Sequence, residues 1–396
     1  MQKRDVILSV FAGRQGNMEV LFAYMNVMMD RDLLQGVHLW NVTRKASDER
    51  WLHDNLYGDR AVSATGSAYV ALDAPTQTLH FRGADNAHIL LCDAAGEPLR
   101  EIVLGGWRNT RSVVRATPQG AAISEHLGVV CDPDSFVRVD IDADGVSVGG
   151  ERILSLCGLS AYSSVKVSAW GDRTVEWRTG VAPHGRFKLM HVRNKSKWRE
   201  YYQHYTAARY PDHVIVKCDD DIVYIDVDGF ADFIKRRVAD RTSLLAFPSI
   251  VNNGVCAHYQ QNAGLLGDLE EMPYDVYYGE LLMNGELCGR LHSYFLSDVT
   301  GFVAASRGLQ SIVHPIGDRI SINFFAVLSE DLGIFQEIGD NDERDITTLV
   351  PPAHGRHVYV DMRFVVAHLS FNTQGRTGLD EAGVLRRYAA LLPGAV

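Results

Sequence analysis

The chain has few of the features that mark secreted, membrane-spanning or nucleic-acid-binding proteins. Its 396 residues include 6 cysteines, Cys92, Cys131, Cys157, Cys218, Cys256 and Cys288, scattered without a CxxC pair and mostly among apolar neighbours. That argues against a disulfide framework or a clustered zinc site and predicts reduced core thiols. No apolar run approaches the roughly 20 residues of a spanning helix. The apolar run in the opening MQKRDVILSVFAGRQG is also shorter than the roughly 7 to 15 residues of a signal-peptide core. These absences predict a cytoplasmic protein without a spanning segment, leaving only peripheral association with the inner face of the membrane open. Long Lys/Arg runs are missing and the formal net charge is -10, so no nucleic-acid partner is expected. Low-complexity tracts and internal repeats are absent too, and nothing in the residues fixes an oligomeric state.

What is present is an ordinary globular composition, 46% hydrophobic and 22% charged, with 35 Gly and 12 Pro spread along the chain. The length suits two domains, each able to bury a core. Residues 5–11 (DVILSVF) read as a strand that stops at Ala-Gly-Arg-Gln-Gly. Residues 17–30 read as a helix and residues 37–42 as a second strand, a β-α-β opening. From about Tyr57 short alternating segments recur between turns, among them TLHFRG, HILLCD, EIVLGG and FVRVDIDADGVSVGG, the pattern of an all-β sandwich. After Gly180 the α/β pattern resumes, with helices predicted at 194–209 and 227–239 around a strand within 211–217. The expected organisation is an α/β domain over 1–56 and 181–396, interrupted by a β-sandwich over 57–180.

The segment KCDDDIVYIDVDGF places Asp219, Asp220 and Asp221 between two apolar runs. In open α/β sheets ligands collect beyond the carboxyl ends of strands, which is where this triplet falls. Adjacent carboxylates repel one another, and a shared divalent cation turns that cost into a gain. Hard Mg²⁺ or Mn²⁺ takes oxygen ligands and keeps diphosphate oxygens as partners. A solvated acidic turn is the alternative reading of such a run.

Residues 217–233 resemble the metal-binding segment of GT-A glycosyltransferases, most closely the beta-3-galactosyltransferase and Fringe type. There a Lys-x-Asp-Asp-Asp run precedes apolar residues and a Val-Asp helix start. Residues 298–309 (DVTGFVAASRGL) resemble that family's Gly-rich segment before an acceptor-side helix. Residues 317–334 (GDRISINFFAVLSEDLGI) resemble the segment carrying its catalytic acid, with Gly317-Asp318 standing where the family has Glu-Asp. The resemblance spans roughly 1–55 and 181–375. It implies a Rossmann-like GT-A domain and a nucleotide-sugar donor, a UDP-sugar first. Lys217, Asp219 and Asp220 would then serve the donor, and Asp219 and Asp221 a Mn²⁺ or Mg²⁺ ion.

An inverting transfer needs one carboxylate to deprotonate the acceptor hydroxyl while a metal holds the departing diphosphate. Asp318 is the first candidate, with helix capping as its other role. It precedes a helix-like run, and Glu343, Asp342 and Asp331 follow it in order. His368, in FVVAHLSF, is a third metal ligand or a satisfied core histidine. Ala12 and Arg14 lie in the loop after the first strand, where such enzymes hold base and ribose, unless that loop is only a surface turn. Arg14 suits a diphosphate or a base. Lys195 and Lys197 open the helix before the triplet strand, where a donor phosphate could meet them, or they lie on a solvated helix face.

The ordered segments EIVLGGWRNTRSVVR, FVRVDIDADGVSVGG and VKVSAWGDRTVEWRT resemble the farnesoic acid O-methyltransferase-like domain, a small β-sandwich with a Gly-Gly-Trp-x-Asn-Thr motif. No Gly-rich loop suited to S-adenosylmethionine accompanies it, so methyl transfer is not expected. Trp107, Asn109, Arg111 and Trp170 could form a sugar-binding face or belong to the sandwich core. The function expected is glycosyl transfer to a glycan or glycolipid acceptor, as in surface polysaccharide synthesis. A sugar nucleotidyltransferase and a non-catalytic carbohydrate-binding protein are the alternatives.

Overall fold

A computed structural model of the chain describes residues 4–57, 61–72, 78–134, 136–143, 145–159, 161–179, 186–190, 199–267, 269, 272–275, 279–337, 339 and 341–392. It divides into two compact units, residues 1–48 with 186–396 and residues 49–185. In chain order it begins with β1 (Asp5–Ala12) and β2 (Gly36–Asn41). Short strands of the second unit follow: β3 (Ala61–Thr65), β4 (Val70–Ala71), β5 (Thr78–Arg82), β6 (Ala87–Cys92), β7 (Pro98–Gly105) and β8 (Arg111–Arg115). The same unit continues with β9 (Ala122–Leu127), β10 (Val137–Asp142), β11 (Gly145–Val148), β12 (Glu151–Leu154), β13 (Ser164–Ala169) and β14 (Thr174–Arg178). The first unit then resumes with β15 (Phe187–Met190), β16 (His213–Asp219), β17 (Ile222–Ile225), β18 (Ser243–Val251), β19 (Ser311–His314), β20 (Phe324–Leu328) and β21 (His357–His368).

The first unit is a mixed sheet in the order β15-β2-β1-β16-β20-β18-β21-β17, with β19 on β21. β15, β2, β1 and β16 run parallel. β20 enters antiparallel to β16, and β18 and β21 are again parallel. The near-continuous apolar runs of β1, β2 and β16 mark strands covered on both faces, and almost all their residues are buried. Pro248 sits inside the fully buried β18 where the register with β21 shifts, the kind of irregularity that tolerates a missing amide. The helices Gln15–Asp30 and Val227–Ala239 follow β1 and β17. Asp226 caps the second by accepting from the Gly229 amide at 3.2 Å.

Two local expectations are corrected. The run after Asp318 is not a helix: residues 324–328 (FFAVL) form β20, every residue buried between β16 and β18. Aromatic and β-branched content together with pairing on both sides decide this. Asp342 and Glu343 open a short helix, Asp342–Arg344, with Asn341 as its cap. Residues 299–307 are themselves a helix capped by Asp298, not a glycine-rich lead-in to one.

The second unit is a β-sandwich of two sheets, β12-β11-β10-β5-β14-β3 and β4-β13-β6-β7-β8-β9. Alternate residues of both meet in one core, with Leu79, Phe81, Val139, Ile141 and Trp177 from the first and Ile89, Leu91, Ile102, Val165 and Val167 from the second. Of the cysteines, all free, only Cys157 is exposed. Among the described residues no helix is long and apolar enough to cross a membrane.

Candidate active site

β1 and β16 lie side by side in parallel, with Phe11 opposite Asp219. The loop after β1 and the acidic turn after β16 therefore emerge at the same edge of the sheet. β17 returns antiparallel to β21 with Ile222 opposite His368, so the last residue of β21 stands beside Asp221. The turn is pinned at both ends: the Asp219 amide donates to Asn323 O at 2.9 Å, and the Leu369 amide donates to Asp221 O at 2.8 Å.

Arg14 closes over the triplet. Its backbone amide and its Nε donate to Asp220 Oδ2 at 2.7 and 3.0 Å, and Nη2 donates to Asp220 Oδ1 at 2.8 Å and to Asp221 Oδ2 at 2.6 Å. Gly13 makes this approach possible, because a Cβ there would lie 2.7 Å from Asp220 Oδ2. Lys217, only 3% exposed, donates to Asp219 Oδ1 and to Ile322 O at 2.5 Å, with the Phe11 ring 5.2 Å from its ammonium. Ala12, fully buried, uses its carbonyl to accept from Val42.

Burial pushes the Asp219 carboxyl up to about 6 against the pull of Lys217, and Asp221 adds to the rise. Burial opposes ionisation of Asp221 as well, yet His368 and Arg14 outweigh it and hold that carboxyl well below the usual range. His368 Nε2 lies 3.3 Å from Asp221 Oδ1. Asp221 Oδ1, His368 Nδ1 and Asn323 Oδ1 are buried without a hydrogen bond. Among the described residues no three His, Cys, Asp or Glu side chains are gathered as a metal-holding set. Asp221 Oδ1 and His368 Nε2 thus stand side by side, a carboxylate oxygen and an imidazole nitrogen that together can take a divalent ion such as Mn²⁺.

Beside the triplet a cavity of about 340 Å³ opens, lined by Lys217, Asp219, Arg319, Ile322, Asp342 and Glu343 among others. Asp342 accepts from Tyr202 at 3.3 Å and from the Glu343 amide at 2.9 Å. Burial raises its pKa against the pull of Lys217. Glu343 is held by Arg319 Nε at 2.5 Å.

The sequence-derived candidates thus divide. Arg14, Lys217, Asp219, Asp220, Asp221, His368, Asp342 and Glu343 come together at one edge of the sheet. Asp318 is not among the residues lining the cavity. It sits in a turn where its carbonyl is 3.1 Å from His314 Nε2. Gly317 has φ +90°, so glycine at this place serves a left-handed turn. Asp331 stands at the opposite edge, since β20 runs antiparallel with Leu328 beside Val214, and there it pairs with Arg237 and Arg356. Lys195 and Lys197 lie outside the described residues. Arg319 and Tyr202 are absent from the sequence-derived set: Tyr202 belongs to no motif, and Arg319, inside the segment 317–334, has only its place beside Asp318 as a local signal.

In the sandwich, the Gly-Gly-Trp-x-Asn-Thr motif builds a left-handed turn. Trp107, Arg108 and Asn109 have φ of +52°, +61° and +62°, and Gly105 has φ +60°. Asn109 is the brace of this turn and not part of a binding face: its Oδ1 accepts from the Val130 and Cys131 amides at 3.0 and 2.8 Å, and its Nδ2 donates to Cys131 O at 2.6 Å. Thr110 Oγ1 donates to Trp107 O at 2.8 Å. Trp107 and Trp170 are 48% and 44% exposed, so neither belongs to the core.

No curated protein matches the chain. Among solved structures, a tetrameric galectin from Cinachyrella sp. (ball sponge) is similar over 28% of this chain and 89% of that one, at 17% identity and a TM-score of 0.20. Residues 65–179, within the β-sandwich unit, match the family model described as farnesoic acid 0-methyl transferase.

Proposed function

We propose that the chain is a metal-dependent glycosyltransferase of GT-A type that transfers a sugar from a nucleoside diphosphate donor, a UDP-sugar first, to a glycan or glycolipid hydroxyl with inversion. One observation carries this reading: Arg14, the triplet Asp219 to Asp221 and His368, from three distant segments, converge at the carboxyl edge of β1 and β16. Asp221 and His368 would hold Mn²⁺ or Mg²⁺, joined by Asp219 on release from Lys217. The ion would neutralise charge on the departing diphosphate. The adjoining cavity, with cationic Lys217 and Arg319 facing acidic Asp219, Asp342 and Glu343, suits a polar ligand. Asp342 fits the base better than Asp318. It lines the cavity, Tyr202 at 3.3 Å is its side-chain hydrogen-bond donor among the described residues, and burial raises its proton affinity, which strengthens it as a base.

Calorimetry of UDP with and without Mn²⁺ tests the reading. Binding should require the metal and disappear in Asp221→Ala. Metal-independent binding, or no affinity for any nucleoside diphosphate, defeats it.

A further inference from the structure

The β-sandwich has a cavity of about 390 Å³ that the glycosyltransferase reading leaves unused. Trp107 and Trp170 stand on it with Val103, and Asn86, His88, Arg115 and Gln119 supply its polar groups. Its volume falls in the range of small-ligand sites, about 300 to 1,000 Å³. Trp107 and Trp170 are far more exposed than the core rings of the same sandwich, Phe81 and Trp177, which are fully buried.

These side chains are held in place. Arg111 and Arg115 lie over the Trp107 ring, 4.6 and 5.8 Å from its centre. The His88 ring stacks on Trp170, with centroids 5.9 Å apart and planes 15° from parallel. Beneath them Glu101, 2% exposed, accepts from Arg115 Nη1 at 3.0 Å, Tyr69 OH at 2.7 Å and the Gln119 amide at 3.0 Å, with His88 Nδ1 3.0 Å away. One buried carboxylate thus orients two of the cavity's polar side chains, His88 and Arg115, and offsets the charge of the guanidinium beside it. The left-handed turn braced by Asn109 costs strain at a bulky residue, and its result is to set the Trp107 ring out in solvent.

We infer that the Trp107–Trp170 cavity binds a neutral pyranose of a glycan. The C–H face of the sugar ring packs on the tryptophans, and its hydroxyls meet Asn86, His88 and Arg115. Compensation of Arg115 by Glu101 selects a neutral polyol over an anion, and the flat aromatic walls select a ring over an extended chain. This inference does not depend on the chemistry proposed for the other unit.

The test uses the full chain and a panel of neutral oligosaccharides ending in galactose, glucose, mannose or N-acetylglucosamine, with glucuronate-terminated counterparts. Tryptophan fluorescence and calorimetry are the readouts. At least one neutral glycan should bind saturably, and Trp170→Ala and Trp107→Gly should each weaken it about ten-fold or more. Trp107→Gly also relieves the positive φ, so its melting temperature should hold or rise while binding is lost, which separates a ligand contact from a structural role. UDP binding should not change in either variant. The inference is overturned if no neutral glycan binds, if binding survives both substitutions, or if the glucuronate-terminated ligands bind more tightly.

Discussion

Arg14 grips Asp220 with its backbone amide and with two guanidinium nitrogens, and then reaches Asp221, so one cation offsets two of the three adjacent carboxylates. A divalent ion arriving at Asp221 must compete with that guanidinium. In Arg14→Ala, Mn²⁺ should therefore bind more tightly in the absence of nucleotide, as measured by electron paramagnetic resonance titration. The same variant should bind UDP less well and unfold about 1–2 kcal/mol more easily, the cost of carboxylates left without their donor at a half-exposed site. Unchanged Mn²⁺ affinity would show that Arg14 does not guard the site.

Asp342 and Asp318 make opposite predictions. If the base stands in the cavity, Asp342→Asn should reduce sugar transfer by at least about 10²-fold while UDP binding is retained, and Asp318→Asn should leave transfer near the wild-type level. The reverse result would return the role to Asp318. Glu343→Gln frees Arg319 and should raise KM more than it lowers kcat, because its partner is a positioning cation.

Much of this site could be read in the sequence because its parts follow strands. Buried apolar runs such as DVILSVF and HVIVK announce parallel strands, and the residues just after them, Arg14 and Asp219, must then share an edge. What failed depended on pairing across the sheet. Residues 324–328 (FFAVL) look helical beside a capping Asp318, yet neighbours on both sides make them a strand. That reversal carries Asp331 to the far edge and leaves Asp342 near the triplet. Asn109 shows the same limit in the sandwich, since the partners that make it a brace lie 21 and 22 residues away at Val130 and Cys131.

That brace gives a stability prediction. Asn109→Ala removes three hydrogen bonds and leaves two amides and one carbonyl to find other partners, while placing alanine at φ +62°. A loss of about 2–4 kcal/mol is expected from urea unfolding of the full chain. Gly105→Ala should be worse, because its Cβ would fall 2.1 Å from Cys131 Sγ in a backbone already at φ +60°. A loss below about 1 kcal/mol in either variant would mean that the turn is not held as described.

Acid sensitivity follows from four buried histidines. Burial lowers His38 to about 3 and His53, His80 and His292 to about 4. Above pH 6.5 these rings are neutral in both folded and unfolded chains and cost nothing. As pH falls from 6.5 towards 4, only the unfolded chain takes up their protons, so stability drops by up to about 1.4 kcal/mol per pH unit for each ring. Asp219, raised by burial to about 6, works in the opposite sense over the same window, joined by Asp226 and Asp342, which burial also raises, while His204, lowered by burial to about 4, acts with the other histidines. Urea midpoints should therefore fall steadily between pH 6.5 and 4.5. The slope should lessen in His292→Gln, whose side chain can still reach a donor and an acceptor at Tyr388 OH and Leu369 O. A flat profile down to pH 5 would show that these imidazoles take up protons within the folded protein.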